Sequence, residues 1–123
     1  MDLILEVGLN HFGKISESNK YLNFFLESNY KNITYQIQKE SFYKKFKFKL
    51  SLDHYKFLIK KTHQKKNYLG LAVADIKSCK EIANLNFDFF FVRYELIPDK
   101  INFIFTIRFY YRCIDAVTRC TAH

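Results

Sequence analysis

The chain has 123 residues, of which 49% are hydrophobic and 19% aromatic, so it can bury a core and is unlike a disordered tail. It contains no run of about 18 uncharged apolar residues, and its apolar start is too short and lacks the basic flank of a signal peptide, so we expect a cytoplasmic protein. The cysteines, Cys79, Cys113 and Cys120, fit neither a disulfide framework nor a zinc pair, and we expect reduced thiols.

The chain begins with a predicted strand, loop and helix. The apolar run from Leu3 to Val7 ends at a glycine, as expected for a strand that is buried on both faces of a parallel sheet. Gly8 and Gly13 enclose the loop that follows. Ser16 is expected to cap a helix that extends to about residue 28, with apolar side chains along one stripe.

Strands and helices continue to alternate after this unit. Residues 32–36 predict a second strand, whereas the lysine-rich stretch behind them has no clear form. Ser51 is expected to cap a helix that ends near residue 64. Residues 68–73 predict a third strand. Asp75 is expected to cap a third helix, and residues 88–93 predict a fourth strand. Such alternation indicates crossover units in a parallel sheet, which is the α/β class.

Positive charge is concentrated in residues 39–66, where ten lysines face only Glu40 and Asp53, and this segment carries the whole formal net charge of +8. Aromatic residues lie between the lysines: Phe42, Tyr43, Phe46, Phe48, Tyr55 and Phe57. Lysines neutralise phosphates and aromatic faces stack on bases, so the segment can follow a nucleic-acid backbone. A solvated helix face with lysine stems over apolar surface explains the same composition, and both interpretations stay open.

The pattern changes after Pro98. Residues 101–111 are nearly all apolar or aromatic, and residues 112–123 have no clear period. We interpret residues 98–123 as a divergent tail, which is either a fifth strand with a frayed end or a sequence unrelated to the rest through truncation or a shifted reading frame.

Candidate functional residues lie where strands end, because the βα loops of a parallel sheet converge there. Glu6 has apolar neighbours on its strand, so its carboxyl group needs a partner or a task. It can hold sugar hydroxyl or amide groups, transfer protons if burial raises its pKa, or simply accept from a backbone donor. Asn10 and His11 add an amide and an imidazole, which alternatively serve as a turn residue and a surface histidine.

Residues 6–13, E-V-G-L-N-H-F-G, resemble the E-I-G-x-N-H-x-G loop that opens the sialic acid synthase family. Members of this family condense phosphoenolpyruvate with N-acetylmannosamine or a related amino sugar. Residues 33–36 occupy the place of the family's second-strand V-K-F-Q. Residues 75–78 and 87–90 are similar to its F-D-x-x-S and D-x-Y/F-K stretches. The resemblance covers residues 3–97, and it implies a domain over residues 1–97 that is part of a (β/α) TIM-type barrel with four or five parallel strands.

The resemblance also implies site residues. Glu6 would be the catalytic residue that holds the amino sugar, and the substrate-binding residues would be Asn10, His11, Gln36 and Arg93. Two family lysines, one of which binds the phosphate of phosphoenolpyruvate, are replaced by Thr34 and Phe91. Arg93 shares the predicted strand face of Phe91 and is the expected substitute cation. The family implies a divalent metal, but its ligands belong to the second half of the barrel, so none is assigned in this chain.

From these features we expect an incomplete relative of the sialic acid synthases that is inactive on its own. The alternatives are a small basic nucleic-acid or anionic-surface binding protein and a non-catalytic interaction protein. A closed barrel of eight strands takes about 250 residues, and a part of one exposes strand edges and apolar faces. We therefore expect self-association or pairing with a complementary half-barrel chain, and no membrane partner.

Overall fold

The computed structural model describes residues 3–82 and 84–92, in which four strands alternate with helices. The elements are β1 (Ile4–Gly8), α1 (Ile15–Glu27), β2 (Asn32–Ile37), α2 (Glu40–Lys45), α3 (Leu52–Gln64), β3 (Tyr68–Val73), α4 (Ile76–Ile82) and β4 (Phe89–Val92). The predicted α/β class is confirmed, and short α2 is an addition that the sequence pattern did not predict. Arg93 and the predicted tail lie outside the described residues.

All four strands belong to one parallel sheet in the order β1-β2-β3-β4. Each strand pairs with the next in sequence, so the strand order never reverses. Right-handed crossovers with this order bring the connecting helices to the same side of the sheet. The described residues thus form a partial β/α fold.

One face of the sheet is covered by helices and holds the core. Alternate side chains of β2 and β3 point to this helix-covered face and are buried: Ile33, Tyr35, Ile37, Leu69, Leu71 and Val73. The residues that pack there from α1, α3 and α4 are Leu22, Phe25, Tyr55, Leu58, Ile59 and Ile82. Burial of these apolar side chains is what stabilises the layered arrangement.

We call the opposite face of the sheet the open face, because α1, α3 and α4 all pack on the other side. Strand alternation and register assign it Glu6, Thr34, Gln36, Gly70, Ala72, Phe89 and Phe91. Gly70 is paired with Phe89, whose ring occupies the place where a Cβ of residue 70 would stand. Any larger residue at this position would displace the ring.

Helix starts agree with the sequence at two of three positions. Ser51 Oγ accepts the backbone N–H of His54 at 3.1 Å, and Asp75 Oδ1 accepts that of Ser78 at 2.8 Å, so both predicted caps are confirmed. The predicted cap at Ser16 is wrong, since α1 begins at Ile15 and Lys14 is the N-cap residue. The backbone turn that precedes α1 sets the earlier start, with the N–H of Lys14 donating to the carbonyl oxygen of His11.

Among the described residues, no helix is both long enough and apolar enough to span a bilayer.

Candidate functional site

Glu6 and Gln36 share the open face near the carboxyl ends of β1 and β2. Glu6 is paired with Thr34, and Gln36 lies two residues further along the same strand face. The Glu6 side chain is exposed and that of Gln36 is half-buried. Gln36 Oε1 lies 3.8 Å from the place that a Cβ of Gly8 would take. A carboxyl group and an amide on neighbouring strands can together hold hydroxyl and amide groups of a polar ligand.

Gly8 leaves space beside the Gln36 side chain. Its φ of +58° lies in the left-handed region, which glycine enters without a steric cost. The pairing of β1 with β2 is irregular here, because the register shifts between Glu6 and Gly8. Irregularities of this kind change the direction of a strand, so β1 bends between Glu6 and its last residue, Gly8, where the β1–α1 loop begins.

The loop holds Asn10 on its exposed side. The backbone N–H of Asn10 donates to the carbonyl oxygen of Val7 at 3.1 Å, and its own carbonyl oxygen accepts the hydroxyl of Tyr21 at 3.5 Å. The Asn10 side chain is exposed to solvent. Its substrate-binding role stays a prediction.

His11 is fully buried, with a relative exposure of 0%. Its Nδ1 accepts the backbone N–H of Gly13 at 2.9 Å, and its ring stacks on Tyr35 with 5.8 Å between the centroids. Burial, and secondarily the nearby His54, lowers the pKa of His11 to about 4. The neutral imidazole therefore carries its proton on Nε2, which is buried and has no hydrogen-bond partner among the described residues.

The location of His11 separates it from Glu6 and Gln36. Tyr35 belongs to the helix-covered face, so the His11 ring that stacks on it packs on that side. Through these contacts His11 fixes the β1–α1 loop, whereas the family resemblance implied a substrate-binding role.

A buried polar network joins Ser18, Tyr35 and His54. The Ser18 hydroxyl donates to Tyr35 Oη at 3.0 Å, and the Tyr35 hydroxyl donates to the Ser18 carbonyl oxygen at 3.0 Å. His54 Nε2 lies 2.8 Å from Ser18 Oγ. The single hydroxyl proton of Ser18 is used toward Tyr35, so His54 is the donor in this contact.

A serine beside a histidine is also the pairing used in nucleophilic catalysis, where the histidine accepts the serine proton. Here Ser18 is 0% exposed and His54 donates, so this pair stabilises the packing of α1 on β2 and α3. The sequence did not reveal the network because its members come from three elements far apart in the chain.

The two positions where the resembled family has lysines are apolar or neutral on the open face. Thr34 is buried, and Phe91 is 49% exposed and contacts Phe89 edge to face at 5.7 Å. The open-face residues of the described strands include no cation. Within residues 3–82 and 84–92, no three His, Cys, Asp or Glu side chains are grouped so that they could hold a metal ion.

In comparisons with family models, curated proteins and solved structures, the chain has no significant match.

Proposed function

We propose that this chain is a sialic acid synthase-like barrel segment whose open face binds an N-acetylated amino sugar, without catalysing the condensation by itself. The observation that carries the proposal is the shared position of Glu6 and Gln36 at adjoining strand ends, beside the space that Gly8 leaves. The β1-β2-β3-β4 order supports it, because consecutive parallel strands are the order of the first half of a TIM-type barrel.

The two side chains complement the groups of such a sugar. The carboxyl group of Glu6 accepts hydrogen bonds from hydroxyls, and the amide of Gln36 both donates to and accepts from an acetamide group. Because Glu6 is exposed, a sugar reaches it without rearrangement of the sheet. Asn10 supplies a further amide from the loop, whereas His11 is too deeply buried to take part.

Condensation requires a second substrate, phosphoenolpyruvate, with an anionic phosphate. A phosphate is held by cationic side chains or by backbone donors aimed at it. Thr34 and Phe91 offer no charge on the open face, and Arg93 remains the predicted substitute. The proposed function is therefore sugar binding, with catalysis depending on groups that the described residues do not supply.

The binding claim is tested by calorimetric titration of the purified chain with N-acetylmannosamine. We expect weak binding by the wild type and about tenfold weaker binding by Glu6→Ala, because a hydrogen bond to a charged group is lost. Glu27→Ala removes an exposed carboxyl group from α1 and is the matched control, with wild-type affinity expected. Equal responses from all three proteins would remove Glu6 from the site.

The catalytic claim is tested by incubating the same protein with phosphoenolpyruvate, N-acetylmannosamine and a divalent cation. We expect no condensation product. Sustained product formation would contradict the proposal of a non-catalytic segment. Absence of sugar binding in the titration would instead favour the non-catalytic interaction protein.

A further inference from the structure

Four phenylalanine rings form a continuous group on the surface, which we call the aromatic cluster: Phe12, Phe42, Phe46 and Phe48. The centroid distances are 5.3 Å for Phe12–Phe48, 5.0 Å for Phe42–Phe46 and 5.6 Å for Phe46–Phe48. Phe12 is 54% exposed and Phe46 is 46% exposed. Phe42 and Phe48 are half-buried, and Phe48 links the two exposed rings. An apolar patch that several rings build together marks an interaction surface, whereas singly exposed apolar side chains are ordinary.

Two segments that are distant in sequence build the cluster. Phe12 comes from the β1–α1 loop and has a φ of +52°, a strained value for a bulky side chain. Gly13 follows with a φ of +73°, and a Cβ there would lie 2.7 Å from the Cα of Phe48. The close approach of the two backbones requires glycine and brings the Phe12 ring onto Phe48. Backbone strain that holds an apolar ring in solvent is typical of functional surfaces.

Lysines accompany the rings. Lys45 and Lys47 flank Phe46 directly, and both are exposed, as is Lys44. The nearby carboxyl groups are engaged, since Glu40 pairs with Lys77 and Glu81 lies 3.3 Å from Lys49. The surface around the cluster is therefore positive and fits an anionic partner.

The structure divides the basic segment into two groups. The lysines at positions 39–49 lie before α3, beside the aromatic cluster, whereas those at positions 56–66 lie along α3 and just after it. A helix of 13 residues is roughly 20 Å long, so Lys65 and Lys66 lie about that far from the start of α3. Tyr55 is fully buried and offers no face for stacking, which corrects its inclusion among the interleaved aromatics.

We propose that the aromatic cluster, with Lys44, Lys45 and Lys47, binds single-stranded nucleic acid. Bases stack on the exposed rings while the ammonium groups contact phosphates. Phenylalanine has no hydrogen-bonding groups, so the surface accepts any base. A single strand is favoured over a duplex because paired bases keep their faces inside the stack.

A lipid surface is less well matched to the same features. Interfacial binding relies on an amphipathic helix or protruding side chains that enter the headgroup region to roughly 5–10 Å. Helix α2 has only six residues, and its Phe42 ring contacts the rings of Phe46 and Phe48. The cluster therefore lacks the amphipathic helix of an interfacial binder.

The stacking contribution is tested by fluorescence anisotropy of a labelled polythymidine oligonucleotide with the full chain at low ionic strength. Phe46→Ala is expected to weaken binding about tenfold, the effect of one lost base stack. Phe24→Ala is the matched control, because Phe24 is 60% exposed on α1, and it should bind as the wild type does. Equal affinity of both variants, or no binding by the wild type, would overturn the proposal.

The charge contribution is tested with two double variants of identical charge change. Lys45→Glu with Lys47→Glu should abolish most binding and flatten its salt dependence, whereas Lys65→Glu with Lys66→Glu just after α3 should retain at least half of the affinity. Equal loss in both would mean attraction by net charge alone, which contradicts a defined surface.

A membrane partner is tested by co-sedimentation with phosphatidylserine vesicles. Vesicle binding without oligonucleotide binding would contradict the nucleic-acid proposal. Glu6→Ala should bind the oligonucleotide with wild-type affinity, so the test of nucleic-acid binding is independent of the test of sugar binding.

Discussion

Tyr35 and Tyr55 are buried to the same extent, but only the Tyr35 hydroxyl has hydrogen-bond partners among the described residues. Both are 0% exposed. The Tyr35 hydroxyl both accepts from and donates to Ser18, whereas the Tyr55 hydroxyl has no hydrogen-bond partner among the described residues. Burial raises the pKa of Tyr35 to about 12 and raises that of Tyr55 as well. Removing the hydroxyl should therefore have opposite consequences at the two positions.

We expect Tyr35→Phe to lower the free energy of unfolding by about 1–2 kcal/mol, because it leaves Ser18 groups buried without their partner. We expect Tyr55→Phe to raise it by about 1 kcal/mol, because an unpaired hydroxyl no longer has to be buried. Urea denaturation of the two variants beside the wild type measures both values. A change of the same sign at both positions would contradict the hydrogen-bond assignment.

Burial of His11 makes stability depend on pH. In the unfolded chain its pKa has the ordinary value of 6.5, whereas burial lowers the folded-state pKa to about 4. Between these values the unfolded state binds more protons, so stability is lost as the pH falls from 6.5 toward 4 and is unaffected above 6.5. The loss amounts to roughly 3 kcal/mol. His54, whose pKa burial also lowers, acts in the same direction.

The variant His11→Asn tests this dependence. An asparagine oxygen can accept the Gly13 N–H but does not titrate, so the fall in stability across this pH range should become shallower. Denaturation midpoints at a series of pH values give the slopes. Parallel curves for variant and wild type would show that His11 is not the titrating group.

At the scale of elements, local patterns predicted most of the fold. The third strand was predicted over residues 68–73, and β3 has these bounds. Alternating burial, a capping residue and helical spacing act over a few neighbours and are visible in sequence. Helix α2 was missed because it buries no residue and so has no amphipathic stripe. It is joined to the fold through Tyr43, whose hydroxyl accepts the Gln38 N–H at 2.9 Å.

The site was less accessible to prediction than the elements. Strand alternation and parallel register suffice to bring Glu6 and Gln36 to one face, and both rules can be applied to a sequence. The path of the β1–α1 loop depends on contacts with Tyr35 and with the segment around Phe48. Such contacts join residues more than 20 positions apart, so neither the burial of His11 nor the position of Phe12 could be predicted.

At the scale of the molecule, the described residues form a four-stranded sheet with one face that α1, α3 and α4 do not cover. The open face has no covering from α1, α3 and α4, and it carries Phe91, which is 49% exposed. On the edge strand β1, Ile4 is 40% exposed. Uncovered apolar faces and strand edges favour association with another chain. This arrangement favours the expected self-association of the purified protein, which stays a prediction.

We expect concentration-dependent association of the wild type in light scattering and a shift toward monomer in Phe91→Lys, because a charge on the open face resists burial. Phe24→Lys places the same charge on the outer side of α1, at a residue that is 60% exposed, and should leave association unchanged. A monomeric wild type at all concentrations, or equal effects of the two substitutions, would contradict an interface on the open face.

Binding of an amino sugar on the open face is tested most directly by a nitrogen-15 correlation spectrum of the labelled chain during titration with N-acetylmannosamine. We expect saturable shifts in the backbone amides of Glu6 and Gly8 and in the side-chain amide of Gln36, while the amides of α3 stay in place. Shifts confined to other surfaces, or no shifts up to saturating sugar, would contradict an amino-sugar site on the open face.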